Sequence, residues 1–298
     1  MTAGRRRWLG AAAALAAGGS GALTGCAIGP DQDHTGADAP GTGTLRQPPK
    51  VAWVFSAGGP RGFVHVGVIK ALAELQLQPD LVVGASVGAL VGTLCAAGVP
   101  VADIEREALA LQPWELVRLA PGSPPRLAAT GLADWVQRAV QGRALQDLPV
   151  PMVCAVQRLR DGAVIGFNRG HAGLAVRASA AIEGRFVPVT IRGESYGDAD
   201  QRMPLPVRLA RQAGALRVLA VDASAHEDRA PEGASRYRDS DRHKRALTQP
   251  DARLADVLLH PDFGYWVSLS DDFRRRAIAA GYQATMAAAP AIRALHAT

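Results

Sequence analysis

Ser86 has the sequence setting of a catalytic nucleophile. It stands in Gly84-Ala-Ser86-Val-Gly88, after the apolar run Leu81–Val83 and before the Ala-, Leu- and Gly-rich stretch 87–97. The first run reads as a buried parallel strand and the second as a helix that stops at Gly98-Val-Pro100. Ser86 therefore occupies an abrupt strand-to-helix turn. Small residues two positions to either side let the backbone fold tightly and push the hydroxyl outward. The following helix aims its free N–H groups and positive dipole end at that hydroxyl, which favours an oxyanion formed there. The chemistry that suits such a turn is nucleophilic attack on an acyl group.

A glycine-rich loop accompanies it. Ser56-Ala57-Gly58-Gly59-Pro60-Arg61-Gly62 follows the apolar strand 51–55 and precedes a helix with apolar residues at Val64, Val68, Leu72 and Leu75. A dinucleotide fingerprint would use Ala57, Gly59 and Gly62 as its glycine positions and requires an acidic residue at the end of the next strand. Asp80 instead begins that strand, and Ser86 follows its end. The favoured reading is an oxyanion hole beside the Ser86 turn, because both loops leave the carboxyl ends of consecutive strands. Pro60 has no N–H to donate. Arg61 offers either charge near an anionic head group or a structural ion pair.

These loops need a scaffold, and the chain can supply one. Its 298 residues, 48% of them hydrophobic, can bury a full core. The formal net charge of +6 includes Arg5, Arg6 and Arg7, and the remaining basic residues are dispersed, which argues against a nucleic-acid face. Residues 101–140 read as helices broken by Pro113 and by Pro121-Gly-Ser-Pro-Pro125. Within them Trp114, Leu116, Val117 and Trp135 either cap a lipid-binding mouth or form a packed helix face. Residues 152–157 and 163–167 read as a hairpin around Asp161-Gly162, 172–181 as a helix and 187–191 as a strand. Tyr196-Gly-Asp198-Ala-Asp200 is a tight polar turn, and the polar stretch 224–251 is expected as a surface excursion. Cys95 and Cys154 lie in apolar runs and read as free buried thiols, with no metal-ligand spacing.

The first 26 residues have the pattern of a targeting segment, Arg5-Arg6-Arg7 followed by an apolar run from Trp8 to Leu23. The run ends in Leu23-Thr24-Gly25-Cys26, which resembles the lipobox of bacterial lipoproteins, where the Cys is acylated. Arg5-Arg6-Arg7-Trp8-Leu9 resembles a twin-arginine export signal. These resemblances imply a lipid anchor at Cys26 and a periplasm-facing chain in the bacterial envelope, with Ala27 favouring the outer membrane. Residues 27–49 are expected as a disordered tether, roughly 25 Å in mean span, ahead of one domain over 50–298.

Three stretches resemble the patatin-like phospholipase family: 51–97, Arg177-Ala-Ser-Ala-Ala-Ile-Glu-Gly-Arg-Phe-Val-Pro188, and 196–207, with a looser echo over 261–282. The resemblance implies an α/β three-layer sandwich with a mostly parallel central sheet and helices on both faces. It also implies a Ser-Asp dyad, with Ser86 as nucleophile and Asp198 as base, and an oxyanion hole at Gly58 and Gly59. The substrate it implies is a phospholipid or lysophospholipid, without metal or organic cofactor. Three positions depart from the family pattern: Ala57 for a Gly, Glu183 for a common Pro, and Ala199-Asp200 for Gly-Gly or Gly-Ala. Ala199 is expected to strain the turn that carries Asp198 and so to slow the enzyme; Asp200 is expected to raise one carboxylate's pKa. Two other readings are a catalytically weakened lipid-binding protein and an α/β-hydrolase-type esterase with a triad through His226 or His260.

Overall fold

The computed structural model describes residues 32–120 and 126–297. The proposed signal segment and Cys26 lie outside them, as does the Pro-rich stretch 121–125. Ten strands and nine helices appear among the described residues. The first half runs β1 (Val51–Phe55), α1 (Phe63–Glu74), β2 (Leu81–Ala85), α2 (Val87–Ala96), α3 (Val101–Ala110), β3 (Arg118–Ala120), β4 (Arg126–Ala128) and α4 (Thr130–Ala139). The second half begins with β5 (Met152–Arg158), β6 (Val164–Phe167), α5 (Ala172–Ser179), β7 (Val189–Ile191) and β8 (Glu194–Asp198). It ends with α6 (Val207–Gln212), β9 (Arg217–Val221), α7 (Arg238–Ala252), β10 (Val257–Leu259), α8 (Asp271–Ala287) and α9 (Ala289–His296).

Eight of the strands form one mixed sheet in which β10, β9, β1, β2 and β5 run parallel in that order. Its central strands are apolar throughout because both faces are covered. Val51, Trp53 and Phe55 of β1 join Met152, Cys154 and Val156 of β5 in a core shared with α1, α2, α4 and α5. The alternate residues Ala52, Val54, Val153 and Ala155 pack in a second core with Val207, Leu209 and Ala210 of α6. Period-two side-chain alternation thus makes two cores from one sheet, and the expected α/β sandwich is the fold observed. No helix among the described residues is long and apolar enough to cross a membrane.

One feature of register matters most for chemistry. Val156 and Gln157 of β5 pair with both β6 and β8, so those two strands occupy opposite edges of β5. Cys154 and Ala155 pair with both β6 and β2, so β2 also lies opposite β6. β2 and β8 therefore share a single edge of β5, end to end. The last β2 pair is Ala85 with Ala155, and the next residue of β5, Val156, pairs with Asp198. Where β2 stops and turns at Ser86, the antiparallel β8 arrives with Asp198.

Two expectations change. The described part of the supposed tether, residues 32–49, lies against the domain: Gly41 bridges Arg169, His34 bridges Ile191, and Ala39 is buried. The Asn168 amide also donates to Gly43 O at 2.6 Å and accepts from Gly43 N at 2.7 Å. The segment is poor in large apolar side chains, and backbone pairing with the edge of the domain substitutes for them. The polar stretch 224–251 is an excursion, but it carries most of α7, whose inner face reaches the site.

Candidate active site

Ser86 has φ 53° and ψ −122°, a left-handed conformation unusual for a residue with a side chain. Such backbone costs about 1–3 kcal/mol and persists only where surrounding contacts hold it. The spacing of the flanking glycines has a steric basis. A Cβ on Gly84 would lie 2.3 Å from Gly88 O, and one on Gly88 would lie 2.3 Å from Phe55 O. A further clamp comes from Ser179 at the end of α5, whose Oγ accepts the Ser86 N–H at 2.9 Å and donates to Ala155 O at 2.7 Å. Ser86 thus sits rigidly at the N-terminus of α2.

Asp198 closes β8 and is buried. Its Oδ1 accepts the Asp200 N–H at 2.8 Å, which caps the short helical turn Ala199–Gln201. Burial, and next the charge of Asp200, push its carboxyl up to about 7; Ser86, the Asp200 N–H and Lys244 pull the other way. Ser86 is close enough to stabilise the carboxylate, yet Oδ2 completes no hydrogen bond of ordinary geometry among the described residues. A carboxyl with these properties can take a proton near neutral pH, which an exposed aspartate at 3.8 does poorly.

The glycine loop lies beside them. Gly59 has φ 53° and open space about its α-carbon, while a Cβ on Gly58 would stand 3.3 Å from the Ala223 and Arg61 side chains. A buried polar frame holds the loop from beneath. Ser56 Oγ donates to Ala57 O at 3.0 Å and accepts from Ala223 N at 2.8 Å, and His65 Nε2 lies 2.9 Å from Ser56 O. Burial lowers the His65 pKa to about 4, so at neutral pH the ring is uncharged and Nε2 can donate to that carbonyl.

Two cavities meet at Ser86. One, of about 440 Å³, is apolar and runs between α2, α3 and α4, with Leu90, Leu94, Ile104, Leu132 and Trp135 in its wall. The other, of about 460 Å³, is the more polar of the two and also holds Gly58, Gly59, Arg61, Asp198 and Lys244. The Arg61 guanidinium donates to the carbonyls of Gly264 and Tyr265 and stacks over Phe263, and it pairs with no carboxylate among the described residues. Lys244 of α7 bonds Asp200. Each cavity is large enough for part of an amphiphile.

A family match described as patatin-like phospholipase covers residues 53–211. The chain belongs to the patatin-like phospholipase family. An NTE family protein of Mycobacterium tuberculosis is 32% identical over 185 residues, 60% of this chain and 50% of that protein. A lysophospholipase of Debaryomyces hansenii is 27% identical over 187 residues, 61% of this chain and 12% of that protein. The chain thus matches about half the length of the mycobacterial relative. Among solved structures, VipD from Legionella pneumophila aligns with TM-score 0.46 at 13% identity, over 86% of this chain and 70% of that one.

Set against the patatin-like pattern, Ala57 and Ala199-Asp200 have local explanations, while nothing in the structure explains Glu183. Ala57 is buried and has no positive φ, so its methyl is accommodated. Ala199 also lacks a positive φ, and it packs fully buried in the core beside α6, so the strain expected there is absent. Asp200 acts as expected on Asp198. His226 and His260 stack on each other at 3.7 Å, His260 bonds Ser224, and neither lines the cavities at Ser86, so no triad forms. Leu116, Val117 and Trp135 do line the apolar cavity, while Trp114 is exposed. Cys95 and Cys154 are free, with thiols pushed up to about 12 by burial. Sequence reading missed Ser179, His65 and Lys244; only the Arg177-Ala-Ser-Ala-Ala stretch offered a hint, and only for Ser179.

Two outcomes follow from this geometry. Ester hydrolysis that needs ionised Asp198 should rise with pH through about 7. Asp200→Asn removes the like charge and should move the inflection of kcat/KM to lower pH, as a pH–rate profile would reveal. Stability has the opposite sign: the folded-state pKa lies above the unfolded value, so the contribution is full below about pH 4 and lost as pH rises through about 7. Ala199→Gly removes a buried methyl without relieving strain. It should cost about 1–2 kcal/mol in urea unfolding and bring no gain in kcat.

Proposed function

We propose that the chain is a serine acyl hydrolase acting on phospholipids or lysophospholipids through a Ser86–Asp198 dyad. The observation that carries this reading is the junction itself. A strained serine and a buried carboxyl titrating near 7 stand where an apolar cavity meets a polar one that holds two cations. The acyl chain lies in the apolar cavity and the phosphate of the head group faces Arg61 and Lys244. Ser86 Oγ attacks the ester carbon while Asp198 accepts its proton. The N–H groups of Gly58 and Gly59 receive the oxyanion, an interaction for which one donor is worth about 2.7–4 kcal/mol in comparable sites. Asp198 then protonates the departing alcohol, and water releases the acyl group from Ser86. The lysophospholipase relative supports the substrate class. At the cell envelope, acylation of Cys26 would hold this site beside its substrate.

Ser86→Ala should retain the wild-type melting temperature and lose both lipid hydrolysis and covalent labelling by a fluorophosphonate probe. Wild-type turnover in this variant would place the nucleophile elsewhere. A wild type that binds lysophospholipid but is never labelled would instead be a lipid-binding protein.

A further inference from the structure

Ser56 is buried beneath the glycine loop, and the protein takes up each of its polar groups. Its N–H donates to Val221 O at 3.1 Å, and its carbonyl lies 2.9 Å from His65 Nε2. Its Oγ accepts the Ala223 N–H at 2.8 Å, so the hydroxyl proton is left for Ala57 O, 3.0 Å away. Ala57 is fixed at its other end too, because its N–H donates to Pro204 O at 2.8 Å. Ser56 is in the wall of neither cavity that meets at Ser86, so it can act on a substrate there only through other residues.

What this bridge controls is the next peptide. Ala57 C=O and Gly58 N–H belong to one planar trans unit, in which the two bonds point in opposite directions. The hydroxyl that holds the carbonyl is anchored on the continuation of β9, and β9 lies on the far side of β1 from β2. Ser86 follows β2. Drawing the carbonyl toward β9 therefore turns the Gly58 N–H toward the cavity whose wall holds both Gly58 and Ser86. Among the described residues no protein group accepts that N–H. A donor left open and facing the reacting carbonyl is what an oxyanion requires. The bonds also run head to tail, from Ala223 N–H through the Ser56 hydroxyl to the Ala57 peptide, and each polarises the next.

We infer that Ser56 is the positioning residue of the oxyanion hole, its hydroxyl aiming the Gly58 N–H and strengthening it as a donor. His65 holds Ser56 in turn, through the Ser56 carbonyl. The inference rests on the proposed Ser86–Asp198 chemistry, since the oxyanion forms only when Ser86 attacks. No bond is made or broken at Ser56. Its effect belongs to the tetrahedral state, in which the substrate oxygen is charged, and is small in the ground state, in which that oxygen is neutral. Loss of the hydroxyl should therefore lower kcat and leave substrate binding nearly unchanged.

The test compares the full chain carrying Ser56→Ala, which deletes the bridge, or Ser56→Thr, which keeps a hydroxyl, with wild type. The readouts are kcat on p-nitrophenyl butyrate across pH, inhibition by a palmityl trifluoromethyl ketone, and binding of an ether-linked lysophosphatidylcholine. The ketone forms a tetrahedral adduct with Ser86 that carries an oxyanion, whereas the ether cannot react. Ser56→Ala should lose about tenfold to hundredfold in kcat and a similar factor in ketone affinity. Its ether affinity should stay within about twofold of wild type. The pH inflection should stay near 7, because Asp198 is unchanged. Ser56→Thr should recover most of the loss. Equal weakening of ketone and ether, a displaced inflection, or no recovery in Ser56→Thr would reduce Ser56 to a structural role and overturn the assignment. Where Ser56→Ala does not fold, Ser56→Cys, which keeps the shape with a weaker donor, carries the same comparison; loss of the fold in both would also overturn it. Wild-type kcat in a folded Ser56→Ala would overturn it alone, leaving the Ser86 chemistry in place. A wild type that neither hydrolyses the ester nor binds the ketone would overturn the hydrolase reading as well.

Discussion

The site depends on two strands sharing one edge of β5. β2 occupies that edge as far as Ala85, and β8 takes it over at Val156. The ladder of backbone hydrogen bonds therefore sets the separation of Ser86 and Asp198, more than 100 residues apart in sequence, without relying on either side chain. A strand junction is a stiff device because a slip of one residue would turn every side chain of β8 to the opposite face. The antiparallel direction of β8 is also necessary, since a parallel strand in its place would present its N-terminal end to the elbow. The mixed character of the sheet, which is parallel elsewhere in its centre, is in this sense a requirement of the site.

Around that junction, unfavourable local states are held in place by ordinary packing. Ser86 keeps a left-handed backbone because Ser179 and the absence of side chains at Gly84 and Gly88 leave it no alternative. Asp198 keeps a carboxyl that titrates near 7 because it is buried beside Asp200, with Lys244 moderating the repulsion. Both features raise the energy of the folded chain, and such states concentrate at functional sites. The polar cavity adds a second asymmetry, since Arg61 is held by carbonyls and aromatic faces and makes no direct ion pair among the described residues, with Asp241, Asp262 and Asp222 acting on it only from a distance.

Much of this was legible in the sequence. The strand–turn–helix around Ser86 and the hairpin around Gly162 announce themselves through apolar runs and glycine punctuation, and both are present as expected. That Asp198 stands beside the Ser86 turn was legible only through family resemblance, because nothing local to Asp198 says which residue β8 will meet. The effect of Ala199 was misjudged because its backbone angles follow from the turn that Asp198 caps, which composition does not reveal. Lys244 was hidden for a related reason: a charged helix such as α7 reads as solvated until the tertiary fold brings one residue against Asp200. Residues 32–49 misled in the opposite direction, since backbone pairing can order a segment that offers little to a hydrophobic core.

The most direct measurement is the second-order rate at which a fluorophosphonate modifies Ser86 in Asp198→Asn compared with wild type at pH 8. The reagent brings its own leaving group, so the rate reports activation of the hydroxyl apart from lipid binding. If Asp198 is the base, the variant should fold normally and react about a thousandfold more slowly. Reaction at the wild-type rate would contradict the dyad and require another group to activate Ser86.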